Sequence, residues 1–112
     1  MSNHLPPATA VKLVDLVAYA DDAVVSRTLT KNEAGNLTLF AFDAGQGLSE
    51  HTAPYDAVVQ ILDGEASLTI GGETMQAVQG ETVLMPAHVP HALHAATRFK
   101  MLLVMIRGGA ET

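Results

Sequence analysis

The sequence predicts an all-β domain of roughly eight to eleven strands, enough to close two sheets into a barrel. From Val24 onward, short β-branched runs are broken at close intervals by Gly, Pro, Asn and Asp. The pairs Asp63-Gly64 and Gly71-Gly72 stand at even spacing within residues 58–78, and such pairs suit two-residue hairpins because those turns need positive φ. No stretch carries a helical apolar period over more than about two turns.

The elements follow in order. Residues 1–10, with two prolines and mixed polar groups, read as a flexible N-terminal arm. The barrel domain is expected over 11–109, with fraying at Ala110 to Thr112. A helical scrap is expected at residues 15–20, where apolar residues do not alternate cleanly. Residues 24–29 and 36–42 read as paired strands around a turn at 31–35, where Asn32 and Gly35 tolerate positive φ. The second of these is apolar on both faces, with Leu37, Leu39 and Ala41 on one side and Phe40 and Phe42 on the other. Such a strand sits between sheets or under a neighbouring subunit. A meander of three strands is expected over 58–78, with turns at Asp63-Gly64 and Gly71-Gly72. After Gly80 come a short strand at 82–85, a loop holding Pro86 and Pro90, and a final apolar strand at 99–106.

Composition narrows the function classes. The 112 residues are 48% hydrophobic, rich for a small monomer, so a homodimer is expected. A net charge of −6 with six Lys and Arg argues against a surface that tracks phosphates, and hence against nucleic acid. There is no cysteine, which removes disulfides and thiolate zinc sites and suits a reducing cytoplasm. Neither an export signal nor an apolar run near 18 residues is recognisable, so no membrane role is expected.

Two segments carry a motif. Gly45, His51 and Gly64 in the first and Gly80, Pro86 and His91 in the second fall at the spacing of the two conserved motifs of the RmlC-like cupin superfamily, G-x5-H-x-H-x3,4-E-x6-G and G-x5-P-x-G-x2-H-x3-N. The chain resembles the small single-domain cupins over residues 24–106, and the resemblance implies a double-stranded β-helix, or jelly-roll barrel. It also implies a metal site made by His51 and His91 with two further ligands. Ala53 stands at the second histidine position, Ala57 at the carboxylate, His88 at the inner glycine and Ala95 at the final asparagine. Half of the ligand set is missing. Two neutral imidazoles bring no charge to offset a divalent cation, and catalytic sites normally supply at least three protein ligands. The cofactor expectation is therefore a weakly bound Fe, Zn, Mn or Ni, or none.

Other residues do not complete the shell by strand alternation. Asp56, Gln60 and His94 take the opposite parity to the motif positions unless a bulge re-aims them. His88 and His94 read as loop or surface residues, and His4 lies in the tail. A pocket lined by His51, Ala53, Tyr55, Ala57, Val59 and His91 is expected, with Thr52 and Arg27 as further candidates to line or gate it, strand parity leaving the direction of Arg27 open. Ile61, Leu93, Met85, Met101 and Met105 read as apolar wall.

The bland reading of His51 and His91 is a hydrogen-bonded pair filling a barrel interior. The functional reading is a small-molecule pocket, since concave barrel interiors bind ligands. Three roles stay open: a module binding a small polar metabolite; a metal-dependent dioxygenase or isomerase; and a metal-free epimerase in which His51 or His91 is the base.

Overall fold

The structure is a computed structural model and describes residues 5–107. A single 3-10 turn, Leu13–Asp15, precedes eight strands: β1 Val24–Asn32, β2 Gly35–Phe42, β3 Gly47–His51, β4 Asp56–Ile70, β5 Glu73–Val78, β6 Thr82–Met85, β7 His91–His94 and β8 Phe99–Ile106. Strands β1, β2, β8, β4 and β6 form one sheet, and β3, β7, β4 and β5 the other. All pairings are antiparallel. The jelly-roll barrel that the motifs imply is the fold observed.

Strand β4 is common to both sheets. Its first half pairs with β6 and β8, and its second half with β5 and β7. The hairpin expected at Asp63-Gly64 does not form there, because β4 continues unbroken for 15 residues. Instead the register against β8 shifts between Ile61 and Asp63, and Gly64 adopts φ +78° at the bend. A Cβ at this position would stand 2.1 Å from the Arg98 carbonyl oxygen. A bulge and a hairpin turn both use positive φ, so the same residue pair serves either. The loop between β5 and β6 fastens the bend, with Gln79 N donating to Gly64 O at 3.1 Å and Gly80 N to Ile61 O at 2.8 Å. Gly71-Gly72 does make the expected two-residue turn, with Ile70 opposite Glu73 and both glycines at positive φ.

The β1–β2 connection is shorter than the expected five residues. Asn32 lies opposite Gly35, and the Asn32 side-chain oxygen accepts from Ala34 N at 2.7 Å. This local bond closes the turn with Glu33 and Ala34 alone.

Two apolar clusters divide the faces of the first sheet. Phe42, Val59, Ile61, Leu68, Phe99 and Met101 fill the barrel interior, where the Phe42 and Phe99 rings stack at 4.4 Å between centroids. Leu39, Ala41 and Leu102 face outward with Leu29 and Val17. The outer face of β2 is therefore covered by the chain's own N-terminal segment, where the sequence reading allowed a second sheet or a neighbouring subunit. The helical scrap is the 3-10 turn at Leu13–Asp15 rather than residues 15–20. Leu5 also packs on this cluster and its N–H donates to Leu29 O at 2.9 Å; residues 1–4 of the expected arm, His4 among them, and Ala110 to Thr112 lie outside the described residues.

Polar contacts fix the same segment. Lys100 Nζ donates to Val14 O at 2.7 Å, Arg27 Nη1 to Leu16 O at 3.0 Å and the Tyr19 hydroxyl to Asp63 at 2.6 Å. Arg27 thus faces this segment on the outside of the barrel, opposite Leu39, and does not gate an interior pocket. Burial, aided by the Asp63 carboxylate, holds the Tyr19 phenol proton on well above the ordinary range. The hydrogen bond from Arg98 at 2.7 Å holds the Asp43 carboxyl below its ordinary value. Its contribution to stability is complete above the ordinary aspartate pKa and is lost as pH falls through the lower folded-state value. Burial of Val17 alone is worth about 1.5–3 kcal/mol, whereas the solvent-exposed Arg98–Asp21 pair is screened and contributes little. Apolar contact therefore does most of the docking.

No helix of the described residues is long and apolar enough to cross a membrane. The crossing of β4 gives a direct test: Gly64→Ala should destabilise the protein by about 2 kcal/mol or more, from positive-φ strain and contact with a backbone carbonyl. Urea unfolding measures this, and a loss under about 0.5 kcal/mol would show that β4 bends without glycine.

Candidate functional site

The site lies where β3 ends and β7 begins. Leu48 stands opposite Leu93 and His51 opposite His91, so three residue steps on β3 match two on β7. That extra residue is a bulge, and it returns His51 to the face that Leu48 and Leu93 share. Without it, alternation would turn the His51 ring to the other side.

The two loops that flank the pair are tied together. His88 N donates to Ala53 O at 2.8 Å, and Ala87 N donates to the Asp56 carboxylate at 2.8 Å. His88 itself takes φ +67°, a left-handed conformation at the position where the motif has glycine. Pro90 holds the other side of the loop, its carbonyl accepting from Gly71 N at 2.8 Å.

Within this frame the imidazoles of His51 and His91 meet with Nε2 atoms 3.1 Å apart. The rings stand edge to face, 4.3 Å between centroids. His91 is buried, at 5% exposure, while His51 is exposed at the rim. Each ring is oriented from behind by a backbone carbonyl, Ser49 O at 2.8 Å from His51 Nδ1 and Val89 O at 3.2 Å from His91 Nδ1.

The pair lines a cavity of about 220 Å³. Ala53, Tyr55 and Ala57 line it with the two histidines, as does Thr52. Val59 does not: it is fully buried in the barrel core, below the wall. Ile61 is likewise core, whereas Leu93, Met85, Met101 and Met105 form the wall. Sequence reading missed Leu48, Pro54 and Leu103. Met101, Leu103 and Met105 share one face of β8 by simple alternation, a signal that could have found Leu103. Tyr55 is half-buried in the lining, with the Arg107 guanidinium 5.4 Å from its ring centroid.

The remaining candidates lie elsewhere. Asp56 is spent on the Ala87 N–H, and Gln60, His88 and His94 are exposed. The two positions that the motif assigns to further ligands, Ala53 and Ala57, present methyl groups to the cavity. Among the described residues, no group of three His, Cys, Asp or Glu side chains could hold a metal ion. Two imidazoles alone do not fit a resident catalytic cation, which takes three protein ligands or more.

A two-sheet jelly-roll barrel whose motif histidines meet in the lining of an interior cavity defines a class of β-barrel proteins, and comparison places the chain within it. The cupin domain family matches residues 38–107, and the chain belongs to that family. The conserved SPY1581 protein of unknown function from Streptococcus pyogenes is 40% identical with a TM-score of 0.90, over 98% of both chains. A cupin superfamily protein from Desulfitobacterium hafniense is 30% identical with a TM-score of 0.88, over 94% of this chain and 96% of that one. The uncharacterized protein SCO3923 of Streptomyces coelicolor is 36% identical over 67 residues, which span 60% of this chain and 64% of that relative.

The donor set leads to a measurement. Protein purified without chelator or nickel affinity should carry well under one equivalent of Fe, Zn, Mn or Ni by plasma mass spectrometry, and added metal should leave Tm unchanged. A stoichiometric metal that disappears in His51→Ala would reverse this assignment.

Proposed function

We propose that this cupin binds a small polar metabolite inside the barrel, with the polar end of the ligand at His51 and His91 and its body along the Met and Leu wall. One observation carries the reading: the motif histidines converge in the lining of a cavity that is otherwise mainly apolar. Pockets for drug-sized ligands run to roughly 300–1,000 Å³. At about 220 Å³ this one takes a smaller molecule.

Binding is favoured over turnover by what lies behind the rings. Both Nδ1 atoms rest on backbone carbonyls, where a metal-free base would gain from a carboxylate that stabilises its charged form. A cytoplasmic location belongs to the same reading, on the cysteine-free composition.

The reading includes a homodimer. Val58 and Leu84 lie side by side on the outer face of β4 and β6, next to Leu37 and Val104, which are half-buried against the N-terminal cluster. Leu84 is 55% exposed, and Ile106, nearby on β8, is 52% exposed. An apolar strip of this kind suits a self-complementary contact.

Two experiments test these points. In a metabolite panel, a ligand at about 100 times its Kd should stabilise the protein by about 2.7 kcal/mol and raise Tm by several degrees, and His91→Ala should abolish the shift. A shift that survives the substitution places the ligand elsewhere. In light scattering, the protein should run at twice its 11.8 kDa chain mass and Leu84→Glu should run as a monomer; a monomeric wild type removes the dimer.

A further inference from the structure

Three of the chain's five methionines, Met85, Met101 and Met105, line one cavity. Two of them flank a small residue. Ala57 of β4 lies opposite Met85 of β6 on one side and opposite Met105 of β8 on the other, and all three side chains face the cavity. Cross-strand partners share one face of a sheet, so the inner row runs thioether, methyl, thioether. Neighbouring strands lie about 4.8 Å apart, which sets each methionine one strand spacing from the floor that Ala57 makes.

That spacing is the dimension of a contact between a thioether and an aromatic ring. Sulfur meets such a ring at about 5 Å, often at its edge, where the ring carries positive partial charge. A ring lying flat on the Ala57 methyl presents one edge to Met85 and the opposite edge to Met105. From this we infer that the cavity takes an aromatic ligand: a single ring with a short polar substituent, the ring over Ala57 between the two thioethers and the substituent toward His51 and His91. The inference rests on the reading of the cavity as a ligand site and specifies the body of that ligand.

An aliphatic body would not use this row. Leu48, Leu93 and Leu103 already give the lining hydrocarbon surface, and a saturated ring has neither a flat face for the methyl floor nor a positive edge for sulfur. Size limits the ligand to one ring. A cavity of about 150 Å³ takes benzene, so one of about 220 Å³ has room for a ring and a short substituent but not for a fused pair. The barrel's own rings do not fill the place. Phe42 and Phe99 stack on each other in the core, and among the described residues neither is part of the cavity wall.

The test is calorimetry on the wild-type protein with two neutral probes, benzyl alcohol and cyclohexylmethanol. Benzyl alcohol should bind at least about three-fold more tightly, although the saturated ring carries more apolar surface. At about 1.4 kcal/mol per factor of ten, three-fold is about 0.7 kcal/mol, the low end for two thioether contacts. Met85→Leu and Met105→Leu combined nearly conserve side-chain volume and should erase the preference while cyclohexylmethanol still binds. In wild-type protein carrying carbon-13 at the methionine methyls, the ring current of benzyl alcohol should shift the Met85 and Met105 signals well beyond the effect of cyclohexylmethanol. Equal or tighter binding of the saturated ring, a preference that survives in the double variant, or methyl signals that respond alike to both probes overturns the aromatic inference. In each of these cases the cavity reading still stands if His91→Ala abolishes the binding. If neither probe binds, both fall.

Discussion

The fold depends on one strand serving two sheets. β4 can do so only because its chain bends at Gly64 against the Arg98 carbonyl, where no side chain fits. Its first half then pairs with β8 and its second with β7, and the two sheets share a hydrogen-bonded spine as well as an apolar interior. The consequence reaches the site. β7 takes its register from the second half of β4, where Ile70 lies opposite His91, so the bend at position 64 helps to set where the buried imidazole stands.

Around that fixed ring the rest of the site is assembled by small irregularities. The β3 bulge returns His51 to the interior face, the left-handed His88 turns the loop into β7, and Asp56 ties that loop to the start of β4. Each lets the backbone position a side chain that regular pairing would misdirect. The carbonyls of Ser49 and Val89, two residues before each histidine, then fix the ring orientations through the local chain. Orientation by backbone turns the two Nε2 atoms toward each other, and the alanines at 53 and 57 leave the rest of the wall without charge.

Much of this was legible in the sequence, for identifiable reasons. Gly71-Gly72 announced its turn because two consecutive positive-φ residues have few other uses. His51 and His91 were paired by motif spacing, which carries the bulge implicitly; strand parity counted residue by residue does not. Asp63-Gly64 was misleading because a glycine needed for close approach looks the same as one needed for a turn. Alternation gives two faces but does not say which is interior, which left the side of Arg27 open, and it does not say how deep a residue lies, which misplaced Val59 in the pocket lining. The cover over β2 could not be read at all, since Leu5, Leu13, Leu16, Val17 and Tyr19 form it from a mostly irregular segment, and scattered contacts leave no period in the sequence.

That cover and the cavity lining each carry one of the chain's two tyrosines, and the chain contains no tryptophan. Its tyrosine emission therefore comes from only two places. Tyr19 sits beneath Arg98 and Lys100 with its hydroxyl on Asp63, and Tyr55 lines the cavity beside Arg107. A single Tyr→Phe change at either position would leave a protein whose fluorescence reports on one region alone, the clasp of the N-terminal segment or the wall of the cavity, with no dye attached.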